Sequence, residues 1–155
     1  MNNQEVYNFD INLPFGVNGE NLLIANYNGY TGVVSDISNG KYKILSVEKL
    51  NENSVVFRDA YVTELNFDDL NDLYQCALYA NYKGNIYSVG LISKHAQEVE
   101  LFARVDHSSE DLSLGFKYDM NLRLTHKLVP RSELTGLYYS KVSILENEKG
   151  KNISL

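Results

Sequence analysis

The feature that most constrains this chain is that it repeats itself. Ala25-Asn26-Tyr27-Asn28-Gly29 returns 55 residues later as Ala80-Asn81-Tyr82-Lys83-Gly84. Asp68-Asp69-Leu70-Asn71-Asp72-Leu73-Tyr74 returns 64 residues later as Ser132-Glu133-Leu134-Thr135-Gly136-Leu137-Tyr138. Two landmarks in the same order read as a divergent duplication, in which each copy is one structural unit. The growing offset places an insertion in the second copy, assigned to the polar stretch Asp106-His107-Ser108-Ser109-Glu110-Asp111.

The elements between the landmarks are strands. Gly40 to Val47 alternates polar and apolar residues, as a strand buried on one face must, and follows Asn39-Gly40, a pair suited to a tight hairpin. Similar reasoning predicts strands at 22–27, 32–37, 54–57, 61–65 and 74–82, then at 86–93, 98–105, 116–118, 122–128 and 139–145. Leu70/Leu73 and Leu134/Leu137, three apart behind Asp68 and Ser132, describe one helical turn capped by those polar residues. The 12 Tyr and 6 Phe, with no Trp, suit half-buried strand positions.

About five strands with a helical turn before the last is the plan of a small SH3-like barrel, whose closure would remove exposed edges. The predicted fold is therefore all-β, two tandem SH3-like barrels. Residues 1–21 read as an irregular lead-in, 22–79 and 80–145 as the two repeats, and 146–155 as a charged tail. A single larger sandwich is the rival architecture.

Composition narrows the function classes. No uninterrupted apolar run among the 155 residues approaches the length of a membrane span, and the N-terminus has neither a basic residue nor an apolar core of a signal peptide. The single cysteine, Cys76, rules out an internal disulfide. These features predict a cytoplasmic protein. The net charge of −6 argues against nucleic acid as a partner. From Met1 to Tyr79 there are 11 acidic and 4 basic residues, −7; from Ala80 onward there are 9 and 10, +1. By sequence, a cationic partner should look to the first half.

Catalytic templates are missing: there is no phosphate-binding loop, dinucleotide fingerprint, zinc-protease helix or nucleophile elbow. His95, His107 and His126 are scattered, no metal-ligand spacing occurs, and Cys76 sits in an apolar strand that suits a buried thiol. The expectation is a protein that is not an enzyme and holds no cofactor and no metal. Tyr27, Tyr30 and Tyr82 flank the repeated turns, where an aromatic cage is one reading and plain packing the stronger. The acidic set Asp59, Glu64, Asp69 and Asp72 is the predicted partner-binding surface, with Asp68 beside it as the expected helix cap. Their counterparts in the second copy carry a different charge.

A small acidic Tyr-rich chain with A-N-Y-x-G and L-x-x-L-Y repeated over residues 22–145 resembles immunity proteins of bacterial contact-dependent growth inhibition and related polymorphic toxin systems. The resemblance implies an immunity protein whose partner is a cognate toxin with a basic surface, bound so that its active site is occluded. Two alternatives stay open. One is a tandem adaptor or reader module for a peptide, RNA or modified side chain; the other is a phage or plasmid accessory protein that inhibits a host enzyme.

Overall fold

The computed structural model describes residues 6–9, 13–103 and 109–145. The chain is mostly antiparallel β-structure, as predicted. Its strands are β1 (Val6–Asn8), β2 (Val17–Asn18), β3 (Leu22–Tyr27), β4 (Tyr30–Ser38), β5 (Lys41–Ser46), β6 (Val55–Phe57) and β7 (Ala60–Asn66). There follow β8 (Asp72–Tyr82), β9 (Asn85–Ile92), β10 (Glu98–Ala103), β11 (Lys117–Asp119), β12 (Leu124–Pro130) and β13 (Gly136–Ser143). One short helix, α1 (Ser109–Ser113), precedes β11.

Two compact units divide the chain, and neither is a continuous half. Unit 2 takes residues 21–76 with 141–155; unit 1 takes residues 1–20 with 77–140. The lead-in is not irregular throughout. Val6–Asn8 pairs with β13 from Ser140 to Tyr138, and Val17–Asn18 pairs with Ile92 and Leu91 of β9, all inside unit 1. Such long-range pairing is invisible to local periodicity. The expected tail, and residues 104–108 of the expected insertion, lie outside the described residues. The rest of the insertion includes the start of α1.

In unit 2 the strand order is β6-β7-β5-β4-β3-β8. In unit 1 it is β11-β12-β10-β9-β8, with β13 pairing β8. Each order starts with a three-residue strand and ends on the strand that follows a 3₁₀ turn, β8 beside β3 and β13 beside β8. Each A-N-Y-x-G segment ends a strand in a two-residue hairpin with both turn residues at positive φ. These are Asn28 at 48° with Gly29 at 84°, and Lys83 at 52° with Gly84 at 84°. The Asn71 N–H donates to the Asn26 carbonyl at 2.8 Å, and the Thr135 N–H to the Asn81 carbonyl at 2.9 Å.

Two expectations need correction. First, the sheet is open. Among the described residues β6 pairs only with β7 and β11 only with β12, and a three-residue strand, about 10 Å long, is too short to reach across and close a barrel. Second, the 3₁₀ turns are Phe67–Asp69 and Arg131–Glu133, so Leu70 and Leu134 are their extended C-caps. Asp68 and Ser132 therefore lie inside the turns, and Asn66 and Pro130 hold the N-cap positions.

The landmark leucines are spaced for burial. Leu70 and Leu73 join Ala25, Ile44, Leu50, Leu65 and Leu145 in the unit 2 core. In unit 1, Val99, Leu101 and Val129 are fully buried, and Tyr82, Tyr87 and Phe116 pack as a ring cluster.

Candidate functional site

The predicted acidic surface does not assemble as one patch. Asp59 is exposed in the two-residue turn between β6 and β7, where Arg58 takes φ 56°. Glu64 is exposed on β7, in register opposite Lys43 of β5. Asp69 lies beyond the far end of β7, a seven-residue strand about 20 Å long, so Asp59 and Asp69 stand at opposite ends.

Asp69 and Asp72 have structural roles within the fold. The Asp69 carboxylate accepts the Asn66 N–H at 3.0 Å, which closes the start of the 3₁₀ turn, so Asp69 does the work expected of Asp68. Asp72 pairs with the Lys141 ammonium at 3.1 Å, and the same ammonium lies 4.4 Å from the centre of the Tyr74 ring. The charge argument changes too. Grouped by unit, each carries 10 acidic and 7 basic residues, −3 apiece. The −7 against +1 was a property of sequence halves that do not correspond to the folded units.

The exposed feature of unit 2 is apolar. On β6, Val55 is 65%, Val56 67% and Phe57 51% exposed. A strand normally hides every second side chain, so three in succession in solvent mean that both faces and the outer edge are uncovered. Val55 pairs opposite Val62, which pairs on its other side with Leu45. Val55, Val62 and Leu45 line a cavity of about 460 Å³ together with Phe57, Lys43 and Ser35. Arg58 covers part of the Phe57 ring, with its guanidinium carbon 5.3 Å from the centroid. The sequence marks 54–57 as a strand but gives no sign of exposure. V-V-F reads as core, and it is bare because among the described residues no further strand pairs beside β6.

Unit 1 holds catalytic-looking ingredients whose spacing excludes a triad. His126 Nδ1 lies 3.3 Å from a Glu100 carboxylate oxygen. Ser88, Phe102 and His126 occupy one cross-strand row on β9, β10 and β12. Two strand spacings, about 10 Å, separate Ser88 from His126, and Phe102 stands between them. A nucleophile and its base need hydrogen-bond contact, which this row denies. His95 sits in a 3₁₀ turn at φ 58°, and His107 lies outside the described residues. Among the described residues no three His, Cys, Asp or Glu side chains are grouped to hold a metal ion.

Cys76 is buried, and burial, opposed by the charge of Lys141, pushes its pKa from 9.0 to about 12; it is a thiol at neutral pH. Tyr82 is also buried, with the Lys127 ammonium donating to its hydroxyl at 2.7 Å, so it cannot serve as a cage wall. Tyr87 donates to Asp111 at 2.8 Å, which ties α1 to the sheet. Burial and that hydrogen bond push the Tyr87 phenol from 10.0 to about 12.

No family model, no curated protein and no solved structure matches this chain. Among the described residues, no helix is long and apolar enough to cross a membrane.

Proposed function

We propose that this chain is a non-catalytic protein-binding module that pairs an extended segment of its partner with edge strand β6. The observation that carries this is the uninterrupted exposure of Val55, Val56 and Phe57 beside an open apolar groove. An exposed hydrophobic edge is an aggregation hazard, and its unpaired N–H and C=O groups are a template for another strand. Strand addition supplies affinity through the main chain and specificity through side-chain pockets, and the groove lined by Leu45, Val55, Phe57 and Val62 is such a pocket.

The narrower readings fit inside this one. The matching strand orders, hairpins and main-chain bonds of the two units support a duplicated SH3-like plan with an open edge. An immunity protein would use β6 to hold a toxin, and a tandem adaptor would use it to hold a peptide. Asp59 at the tip of the β6–β7 hairpin and Glu64 on the neighbouring strand are the acids placed to steer a basic partner toward that edge.

The test is selection of extended peptides from a displayed library, followed by the double variant Val55→Lys/Phe57→Asp. Binding should fall at least ~10-fold, whereas exposed sites of this kind change unfolding free energy by under ~0.5 kcal/mol. Peptides that bind the double variant as well as the parent chain would place the docking surface elsewhere.

A further inference from the structure

Of the two prolines in the chain, Pro14 precedes Phe15 and Pro130 precedes Arg131, so Pro130-Arg131 is the sole proline–arginine step in the sequence. It lies in Leu128-Val129-Pro130-Arg131-Ser132, where strand β12 gives way to the 3₁₀ turn Arg131–Glu133. The matching turn of unit 2, Phe67–Asp69, has no basic residue, so the duplicated plan does not require one.

The segment suits one class of enzyme. Serine proteases that select arginine place a carboxylate at the base of the pocket that receives its side chain. The residues before the arginine must be extended. Proline favours that form, because its ring fixes φ and pushes the preceding residue toward extended backbone. Pro130 already has it, at φ −60° and ψ 137°. A protease with an apolar site for proline ahead of its arginine pocket would accept Val129-Pro130-Arg131, and Ser132 after the bond is small.

The fold withholds this segment. Extended backbone stops at the residue that would be cut. Arg131 begins the 3₁₀ turn, and its carbonyl, the group a protease attacks, accepts the Leu134 N–H at 3.0 Å. The Arg131 N–H donates to the Gln97 carbonyl at 2.7 Å. The Arg131 guanidinium donates to the Phe9 carbonyl at 3.1 Å, so the side chain that should fill the protease pocket is held inside unit 1. Val129 is fully buried and stands opposite Val99 of β10. Fraying of the turn would free the Arg131 carbonyl but leave Val129 in the core and Pro130 in register with Glu98.

We propose that Arg131–Ser132 is a latent cleavage site for an arginine-selective serine protease that prefers proline before the arginine, closed in the folded chain and opened when β12 separates from β10. Water is the co-reactant. Its hydroxyl goes to the Arg131 carbonyl carbon, the bond to the Ser132 nitrogen breaks, and that nitrogen takes the proton. The cut leaves a carboxylate on Arg131 and an amine on Ser132, and parts β12 from β13. The latch belongs to unit 1 alone, and the inference stands without the β6 reading.

The test is digestion of the intact chain with thrombin, an enzyme of this class, in a urea series below the unfolding midpoint. A peptide of residues 126–134 reports the activity of the enzyme at each urea concentration. Where opening and closing are fast compared with cutting, the rate follows the open population. Without urea the peptide should be cut at least ~100-fold faster than the chain, and the chain's rate should climb with urea alongside its unfolding constant. Mass spectrometry should show residues 132–155 as the first product, and Arg131→Gln should abolish it even in the unfolded chain. Val129→Ala, which leaves a cavity under β12 and keeps the proline and arginine, should raise the rate without urea at least ~10-fold. If that variant does not fold, the urea series on the parent chain decides. Cutting of the chain as fast as the peptide without urea, a rate flat in urea, or an unfolded chain that thrombin leaves whole would each overturn the assignment.

Discussion

Strands β6 and β11 hold the same place in their units, yet their sequences are opposites. Each has three residues and, among the described residues, pairs along one side. β6 is Val55-Val56-Phe57, apolar and exposed throughout; β11 is Lys117-Tyr118-Asp119, with charges at both ends. Lys117 and Asp119 are the usual protection of a sheet edge, since pairing another strand there would bury charge. Their absence from β6 removes that protection from a strand whose backbone has the same unsatisfied groups. The difference teaches that edge geometry alone does not make a docking site. It is the missing charge that leaves β6 open.

The approaches to the two edges differ as well. The chain before β6 is held by the Ser54 hydroxyl, 2.6 Å from that of buried Thr63. The chain before β11 is held by α1, through the Tyr87–Asp111 bond. The largest expected effect lies there, because the second clasp depends on a proton. The native state keeps the Tyr87 phenol protonated to about pH 12, whereas in the unfolded chain it ionises near its ordinary value of 10.0. Between those values the unfolded state binds fewer protons, so stability is full below about pH 10 and falls as pH rises toward 12. The full shift corresponds to roughly 2–3 kcal/mol. Urea unfolding at pH 8 and pH 11, in a Cys76→Ala background to remove the thiol's own alkaline loss, should show the decline. Tyr87→Phe should flatten it. An equal decline with phenylalanine would detach α1 from the contrast.

Smaller in effect is an attempt to make β11 resemble β6. Lys117→Val with Asp119→Val bares the edge and removes the carboxylate that accepts the Asn121 N–H at 2.9 Å and the Leu122 N–H at 3.1 Å. The loss of that turn should cost about 1–2 kcal/mol, and the new apolar edge should raise self-association in light scattering. A monodisperse variant would show that charge is not what protects this edge.

The smallest effects sharpen the contrast in the 3₁₀ turns that precede β8 and β13. Asp69→Ala should cost about 1 kcal/mol in chemical unfolding through loss of the Asn66 contact, whereas Asp68→Ala should cost under ~0.5 kcal/mol. Equal costs would mean that the Asn66 contact does not stabilise this turn. Asp69 is therefore unsuited to a charge-reversal test of partner binding, and Glu64 is the acid to reverse.

The sequence by itself determined most of the strands from β3 onward. Leu22–Tyr27 is β3 residue for residue, and Asn39-Gly40 turns β4 into β5 at φ 53° and 75°. These features are local: alternation and turn chemistry act over a few residues and can be read there. Tertiary structure decided the rest. It assigned the lead-in to unit 1 and residues 141–155 to unit 2, and so divided the charge evenly. It also gave Asp69 and Asp72 structural partners and left Val55–Phe57 uncovered. None of this is written in any short window, because whether an apolar strand is core or edge depends on what stands beside it. A neighbour supplied from elsewhere in the chain, or not supplied, is set by long-range pairing.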